Sequence, residues 1–338
     1  MYNAMKLKEI GEFGFIDRVA PLGRIRAEGV VKGIGDDCAV VAVDGPDYLL
    51  VTTDLLVERV HFLMDWAPAE VIGRKALAVN LSDIAACGGI PLDAFISLAI
   101  PEDLDVEWLD GFYQGMRGLA DSFRVNLLGG DTTGSKSDLV INVAVTGRVP
   151  CDQVLLRHTA REGDVIAITG PLGESAAGLE ILLGKLQLPP QVAAPLVAAH
   201  LEPRPHLPEG RFLASSGACT SAIDVSDGLS SDLGHLCQDS GVAAVVYEDR
   251  IPVSLPLARF AELTSRNPIE IILSGGEDYV LLVALKHNMA EDLQRRAHQQ
   301  GMRLHPIGEF IAGRGMELVR RNNTREPFGP RGWDHFRA

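Results

Sequence analysis

At six separate places along this 338-residue chain, an acidic residue sits beside Gly, Ser, Thr or Asn. GIGDDCAV carries Asp36 and Asp37, VTTDLL carries Thr52, Thr53 and Asp54, and NLSDIAACGG carries Asn80 and Asp83 on one helical face. LLGGDTT supplies Asp131, AIDVSDGLSSD supplies Asp224, Ser226 and Asp227, and LSGGEDY supplies Glu277 and Asp278. Any one of these is ordinary turn chemistry, because Asp bonds its own backbone and Gly tolerates positive φ. The recurrence constrains the fold more tightly. Two carboxylates about 4 Å apart repel by roughly 4 kcal/mol at an effective dielectric of about 20, so acidic loops that gather need cations. Carboxylate and hydroxyl oxygens suit hard ions, and magnesium keeps waters while bridging substrate phosphates. No EF-hand spacing occurs, so single carboxylates on separate loops fit a phosphate-bridging magnesium site better than a calcium cage.

The stretch LLGGDTTGSKSD (127–138) nearly spells a phosphate-binding loop, with Gly129, four residues and Gly134. That loop needs Lys directly after the second Gly, where this chain has Ser135. Asp131 stands where backbone N–H groups would cradle a phosphate. The sequence therefore predicts that Asp131 holds a metal and the metal holds the phosphate, while the Gly129-Gly130 backbone lets a nucleotide approach closely. GIGDDC fails the dinucleotide fingerprint too, since Cys38 replaces its third Gly.

Strand-like and helix-like stretches alternate around these loops. CAVVAV (38–43), YLLVTTDLLV (48–57), DAFISLAI (93–100), VNLLGG and LVINVAVTGRV predict strands. PAEVIGRKALAVNLSDIAACGG (68–89) opens on Pro and closes on Gly, as a helix should, and residues 105–123 have helical apolar spacing. After a polar, punctuated stretch near 150–163, the second half starts with DVIAITG and a helix from Glu174. SAIDVS then runs into the helix DGLSSDLGHLCQDSG, followed by VAAVVYE, IEIILSGG, EDYVLLVAL, a helix over AEDLQRRAHQQ, and RLHPIGEF. Two α+β domains, 1–150 and 151–338, fit this order and length better than one long doubly wound sheet. A net charge of −14 argues against nucleic-acid and anionic-membrane partners. The five cysteines show no CxxC spacing, no run reaches the roughly 18 apolar residues of a membrane span, and the N-terminus lacks a signal-peptide core. These features predict a cytoplasmic protein.

GIGDDCA, TTDLLVERVHF, KALAVNLSDIAACGGIP, LLGGDTT, IDVSDGLSSDLGH, LSGGEDY and the terminal GWDHF, in that order, resemble the thiamine-monophosphate kinase family. The resemblance runs from GEFGFI nearly to the C-terminus. It implies a two-domain aminoimidazole ribonucleotide synthetase-like fold of class α+β. In it, an N-terminal α/β sheet domain binds nucleotide and metal and forms a barrel across a homodimer, and a C-terminal α+β domain completes the active site. It also implies Mg2+-assisted transfer from ATP to thiamine monophosphate. By motif, the implied metal positions are Asp37, Thr52, Thr53, Asp54, Asp83, Asp131, Asp224 and Asp227, with Asp54 and Asp131 central to catalysis. The implied nucleotide contacts are Asp37, Gly130, Asp131, Arg157 and Ser226, and the implied substrate contacts are His61, Glu277 and Trp333. Outside the resemblance, Arg157 reads as a solvated linker residue, His61 as structural, and Trp333 as an anchor of the C-terminal tail.

The acceptor is already anionic, since a phosphate monoester has its second pKa near 6, so in-line transfer needs no general base and no phospho-enzyme. Selenophosphate synthetases carry a reactive Cys near the N-terminus, and none precedes Cys38 here. Hydrogenase-maturation relatives end in a cysteine-bearing tail, whereas this chain ends GWDHFRA. A non-catalytic cation- or nucleotide-binding protein is the remaining alternative. Cys87 stands where the family usually has Met, and residues 1–5 are assigned no role.

Overall fold

The computed structural model describes residues 6–336 except 24, 27, 185 and 334. The first half runs α1 (Leu7–Gly23), β1 (Val30–Lys32), β2 (Ala39–Ala42), β3 (Asp47–Val57), α2 (Ala69–Ala86), β4 (Ile90–Pro101), α3 (Val106–Phe123), β5 (Asn126–Ser135) and β6 (Val140–Pro150). Its strands form one sheet in the order β1-β2-β3-β6-β4-β5, antiparallel except for the parallel pair β4–β5.

The second half runs β7 (Val165–Ile168), α4 (Glu174–Leu182), α5 (Pro190–Leu201), α6 (Leu207–Ser215), β8 (Cys219–Asp224), α7 (Leu229–Ser240), β9 (Ala243–Tyr247), α8 (Leu255–Thr264) and α9 (Pro268–Ser274). It closes with β10 (Leu281–Leu285), α10 (His287–Gln299), β11 (His305–Ile311), β12 (Met316–Val319) and β13 (Arg325–Phe328). Its sheet has the order β13-β12-β9-β11-β7-β10-β8.

Period-2 alternation decides what each sheet face covers. On β10, Leu281, Val283 and Leu285 join a core shared with the first half, while Leu282 and Ala284 join the core of the second half. Helix α2 lies between the halves. It starts after Pro68, is apolar on nearly every face, and buries Ile72, Leu77, Leu81 and Ile84. A helix apolar all round belongs in an interior, and α2 packs on β3 and β6 on one side and on β8 and α6 on the other. Of its polar groups, Lys75 and Ser82 reach across the seam to the second half, while Asn80 and Asp83 bond to β3.

The sequence places LLGGDTT at a strand end, but the structure carries the strand through it to Ser135. The cause lies at Gly130, which has φ 146°, and a Cβ there would meet the carbonyl oxygen of Ile96 at 1.6 Å. Only glycine lets this edge strand lie against β4. Among the described residues, no helix is long and apolar enough to cross a membrane.

Candidate active site

Alternation on β3 turns Thr52 and Asp54 toward α2 and leaves Thr53 on the outer face, where its Oγ1 accepts a 2.8 Å hydrogen bond from Asn142. On α2, Asn80 Oδ1 accepts from the Asp54 backbone N–H at 3.1 Å, and Asp83 Oδ2 accepts from the Thr52 hydroxyl. One turn of helix thus fixes both ends of the TTD motif. Ser82 donates to Asp224 Oδ2 at 2.6 Å, tying α2 to the end of β8 across the seam.

The result is a knot of acids. One carboxylate oxygen each from Asp37, Asp83 and Asp224 lies within 4.8 Å of the others. Asp37 Oδ1 accepts from the Arg157 guanidinium, while its buried Oδ2 has no hydrogen-bond partner among the described residues. Arg157 Nε is likewise buried and unpartnered among them. The Arg157 backbone N–H donates to Asp36 Oδ2 at 3.2 Å, and Lys32 Nζ lies 3.6 Å from the same oxygen. Arg157, which outside the resemblance reads as linker, is thus one of two cations at the site among the described residues.

The electrostatics record the crowding. Burial, then the Asp37 charge, raises Asp54 to about 6 and Asp224 to about 8. Asp36 rises to about 7 by burial and by Asp37, against the pull of Arg157 and Lys32. Asp83 is raised well above the usual carboxylate range by burial and by Asp54, Asp224 and Asp37. Two cationic side chains, Arg157 and Lys32, do not neutralise this many acids.

A second group of predicted residues lies beyond the first turn of α2. Glu277 sits on the loop between α9 and β10, at φ 61°, with its N–H on the Ser226 carbonyl at 2.7 Å. Its Oε2 accepts from Lys75 Nζ at 3.0 Å and lies 3.1 Å from His200 Nδ1. His61 follows β3, its Nδ1 accepting from the Val57 N–H at 2.9 Å. Its ring lies 5.0 Å from that of His335, which in turn packs edge-on to Trp333 at 5.8 Å. The tail reaches this place because three successive N–H groups are held: Arg331 on Ser230 Oγ, Gly332 on Ser231 Oγ, and Trp333 on the Asp227 carbonyl.

Asp227 and Ser226 are half-buried on the loop before α7, and Asp232 Oδ2 accepts from the Asp227 and Gly228 N–H groups at 3.2 and 3.0 Å. Asp131 stands apart. It is exposed on edge strand β5, in register with Ser97, Asn142 and Leu55, on the face opposite Asp54. Asp131 and Thr53 are thus not gathered with the acid knot, and Gly130 lines the same edge strand. Sequence reasoning does not single out Lys75, Ser82, His200, Asp232 or His335. Lys75 shares its helix with Glu70, Arg74 and Asp83, so its charge alone does not single it out.

Residues 35–149 match the family AIR synthase related protein, N-terminal domain, and residues 161–321 match AIR synthase related protein, C-terminal domain. The chain is 37% identical to the thiamine-monophosphate kinase of Salmonella typhimurium, over 96% of this chain and 98% of that one. It is 36% identical to that of Aquifex aeolicus, over 98% of this chain and 100% of that one. A solved structure of AaThiL complexed with AMPPCP and TMP superposes at TM-score 0.87 with 34% identity, covering 98% of this chain and 99% of that chain. The hydrogenase maturation protein HypE of E. coli shares the fold at TM-score 0.70, with 22% identity over 83% of this chain and 84% of that one.

Proposed function

This chain belongs to the thiamine-monophosphate kinase family, and from that premise we propose that it transfers the γ-phosphoryl group of ATP to thiamine monophosphate, giving thiamine diphosphate. The observation that carries the reading is the convergence of Asp37, Asp83 and Asp224 beside Arg157, with Asp37 Oδ2 left unpartnered among the described residues. An all-oxygen donor set of this charge fits Mg2+. Asp37, Asp83 and Asp224 would hold it, with Thr52, Asp54 and Asp227 adjoining. Bound there, the metal would neutralise and bridge the phosphates that must approach each other.

The chain's own residues do the positioning. Asn80 holds the backbone of Asp54, Thr52 and Ser82 orient Asp83 and Asp224, and Arg157 adds a fixed positive charge at the rim. No side chain needs to take a proton, because the attacking phosphate oxygen is already ionised at neutral pH. Beyond the knot, His61, Glu277 and Trp333 would receive the thiamine end, where a carboxylate and an aromatic face suit a cationic ring.

The same reading gives residues 1–150 the nucleotide, metal and dimer contacts, and lets 151–338 complete the site. The outer face of the first sheet supports a homodimer, for it exposes Leu55 at 51% and Phe95 at 39%. Pairing two such faces would carry Asp131 of one protomer toward the TTD motif of the other, and Ser226 and Gly130 would then line the nucleotide. Five free cysteines accord with a reducing cytoplasm.

The test is a coupled assay of ADP formation with a panel of phosphate acceptors. The expected result is turnover with thiamine monophosphate and a diphosphate product. ADP release without any acceptor, or with a different acceptor only, would overturn the assignment.

A further inference from the structure

Glu277 is held more elaborately than a pocket-lining residue requires. Its loop is pinned by N–H bonds from Glu277 to the Ser226 carbonyl at 2.7 Å and from Tyr279 to the Val225 carbonyl at 2.9 Å. Both residues sit at positive φ, 61° and 51°, a conformation that costs a non-glycine residue about 1 kcal/mol or more. Between them, Asp278 turns the other way and caps α4, accepting from the Gly173 and Ser175 N–H groups at 2.6 and 3.3 Å. The backbone is therefore fixed before the Glu277 side chain is placed.

That side chain then meets two donors from opposite halves of the molecule. Lys75, on buried α2, is 3% exposed at its side chain and puts Nζ 3.0 Å from Oε2. His200, in the last turn of α5, puts Nδ1 3.1 Å from the same oxygen. Lys75 Nζ also lies 3.5 Å from His200 Nε2. An ammonium has only donors, so Nε2 must present its lone pair, which leaves the imidazole proton on Nδ1, facing Glu277 and the Ser175 hydroxyl 3.0 Å away. Trp66 packs edge-on against the imidazole at 6.0 Å. Among the described residues, Oε1 has no hydrogen-bond partner, and the Glu277 side chain keeps 23% exposure.

We infer that Lys75 and His200 are positioning residues for Glu277, fixing one carboxylate oxygen so that the other faces the cationic thiamine end of the substrate. The inference rests on the proposed reaction and deepens it. Without the ammonium, a carboxylate enclosed beside Asp278 and Tyr279 would take up a proton and lose its attraction for a thiazolium. Burial pushes the Glu277 carboxyl up, but the Lys75 charge, His200 and His61 outweigh it and hold the group below its ordinary value. His200 itself is lowered to about 4 by burial and by Lys75, so at neutral pH it acts through its N–H and not through charge.

The experiment measures kcat and KM for each substrate between about pH 5.5 and 8.5, using Lys75→Met, His200→Gln, Glu277→Gln and the double variant Lys75→Met/Glu277→Gln. Lys75→Met should raise KM for thiamine monophosphate about tenfold or more, with KM for ATP nearly unchanged. The acid limb of kcat/KM for thiamine monophosphate should move to higher pH, as Glu277 loses its counter-charge. In the Glu277→Gln background, Lys75→Met should add less than about twofold. His200→Gln should shift KM in the same direction by less, and it carries the readout if Lys75→Met does not fold. Equal losses for both substrates, an unmoved acid limb, or full additivity in the double variant would overturn the inference while leaving the reaction intact. A wild-type enzyme inert toward thiamine monophosphate in the same assay would remove the reaction, and the inference with it.

Discussion

Helix α2 serves two acidic sites in opposite ways. At Lys75 it supplies the cation for Glu277, and the carboxyl stays below its ordinary value. Two turns later, at Ser82 and Asp83, it supplies a hydroxyl and a further acid to a knot whose members are pushed up to about 6 at Asp54 and about 8 at Asp224. The first site is complete in the folded chain. The second has more negative charge than Arg157 and Lys32 balance, and in the proposed reaction a metal ion would complete it. Glu277 thus carries its own counter-ion, whereas the acids of the knot outnumber theirs.

The largest effect should come from breaking the second site. Asp54→Asn and Asp83→Asn should each cost about a hundredfold or more in kcat, the scale set by removing one fixed electrostatic group from a reacting centre. Circular dichroism should show both variants folded. Near-wild-type turnover from either would sink the reading of the knot as the reacting centre. Asp131→Asn should lose as much although it lies on the outer face, because in the proposed homodimer it serves the facing protomer. Mixing Asp54→Asn with Asp131→Asn protein should then recover roughly a quarter of wild-type turnover, since half the dimers are mixed and each mixed dimer has one intact site. No recovery after subunit exchange would place Asp131 in its own protomer's site, or outside any.

Next in size is the response to pH and magnesium, where the two sites should pull in opposite directions. For Asp54, Asp36 and Asp224 the folded values of about 6, 7 and 8 lie above the unfolded ones. The folded state therefore binds more protons, and stability is lost as pH rises through about 6 to 8. Glu277 has the reverse sign: its contribution is present above the unfolded value and fades as pH falls through the folded one. In chelator, the melting temperature should therefore fall between about pH 6 and 8.5, with the knot dominating. Saturating Mg2+ should restore it, adding about 2.7 kcal/mol at a hundred times Kd, and more at the alkaline end. Asp83→Asn should flatten the metal-free slope. A slope identical with and without Mg2+ would detach the knot from metal binding.

How much of this was readable in the chain depends on whether a residue's signal is local. Helix α2 was legible because Pro68 and Gly88 bracket an apolar run: residues 68–89 were expected and Ala69–Ala86 found. The acidic motifs were legible because each carries its own Asp with Gly, Ser or Thr beside it. Which of them meet was not legible. The Ser82–Asp224 bond joins residues 142 positions apart, and Lys75 and Glu277 are separated by 202. His200, at the end of an alanine-rich helix, carries no local mark at all. The GGDTT edge strand was hidden for another reason: glycines that usually signal a turn here permit the close backbone approach that parallel pairing with β4 demands. Thr53 and Thr52 read alike in sequence, and only the pleat separates them.

The smallest effect probes whether the tail belongs with the Glu277 site. Trp333 is 55% exposed, and its indole N–H reaches His335 Nδ1 at 3.3 Å. An aromatic face over a cationic ring contributes about 0.5–2 kcal/mol, so Trp333→Ala should raise KM for thiamine monophosphate by about two- to thirtyfold and leave KM for ATP alone. Loss of the ring and loss of its placement can be told apart. A Cβ on Gly332 would stand 2.2 Å from the Asp227 carbonyl oxygen and 2.5 Å from Ser231 Oγ, so Gly332→Ala must push the tail off both partners while keeping the tryptophan. If the tail's grip on the loop before α7 is what delivers the ring, Gly332→Ala should match Trp333→Ala, and the two together should be no worse than one. A Gly332→Ala enzyme with wild-type KM for both substrates would show that the ring finds its place without those bonds.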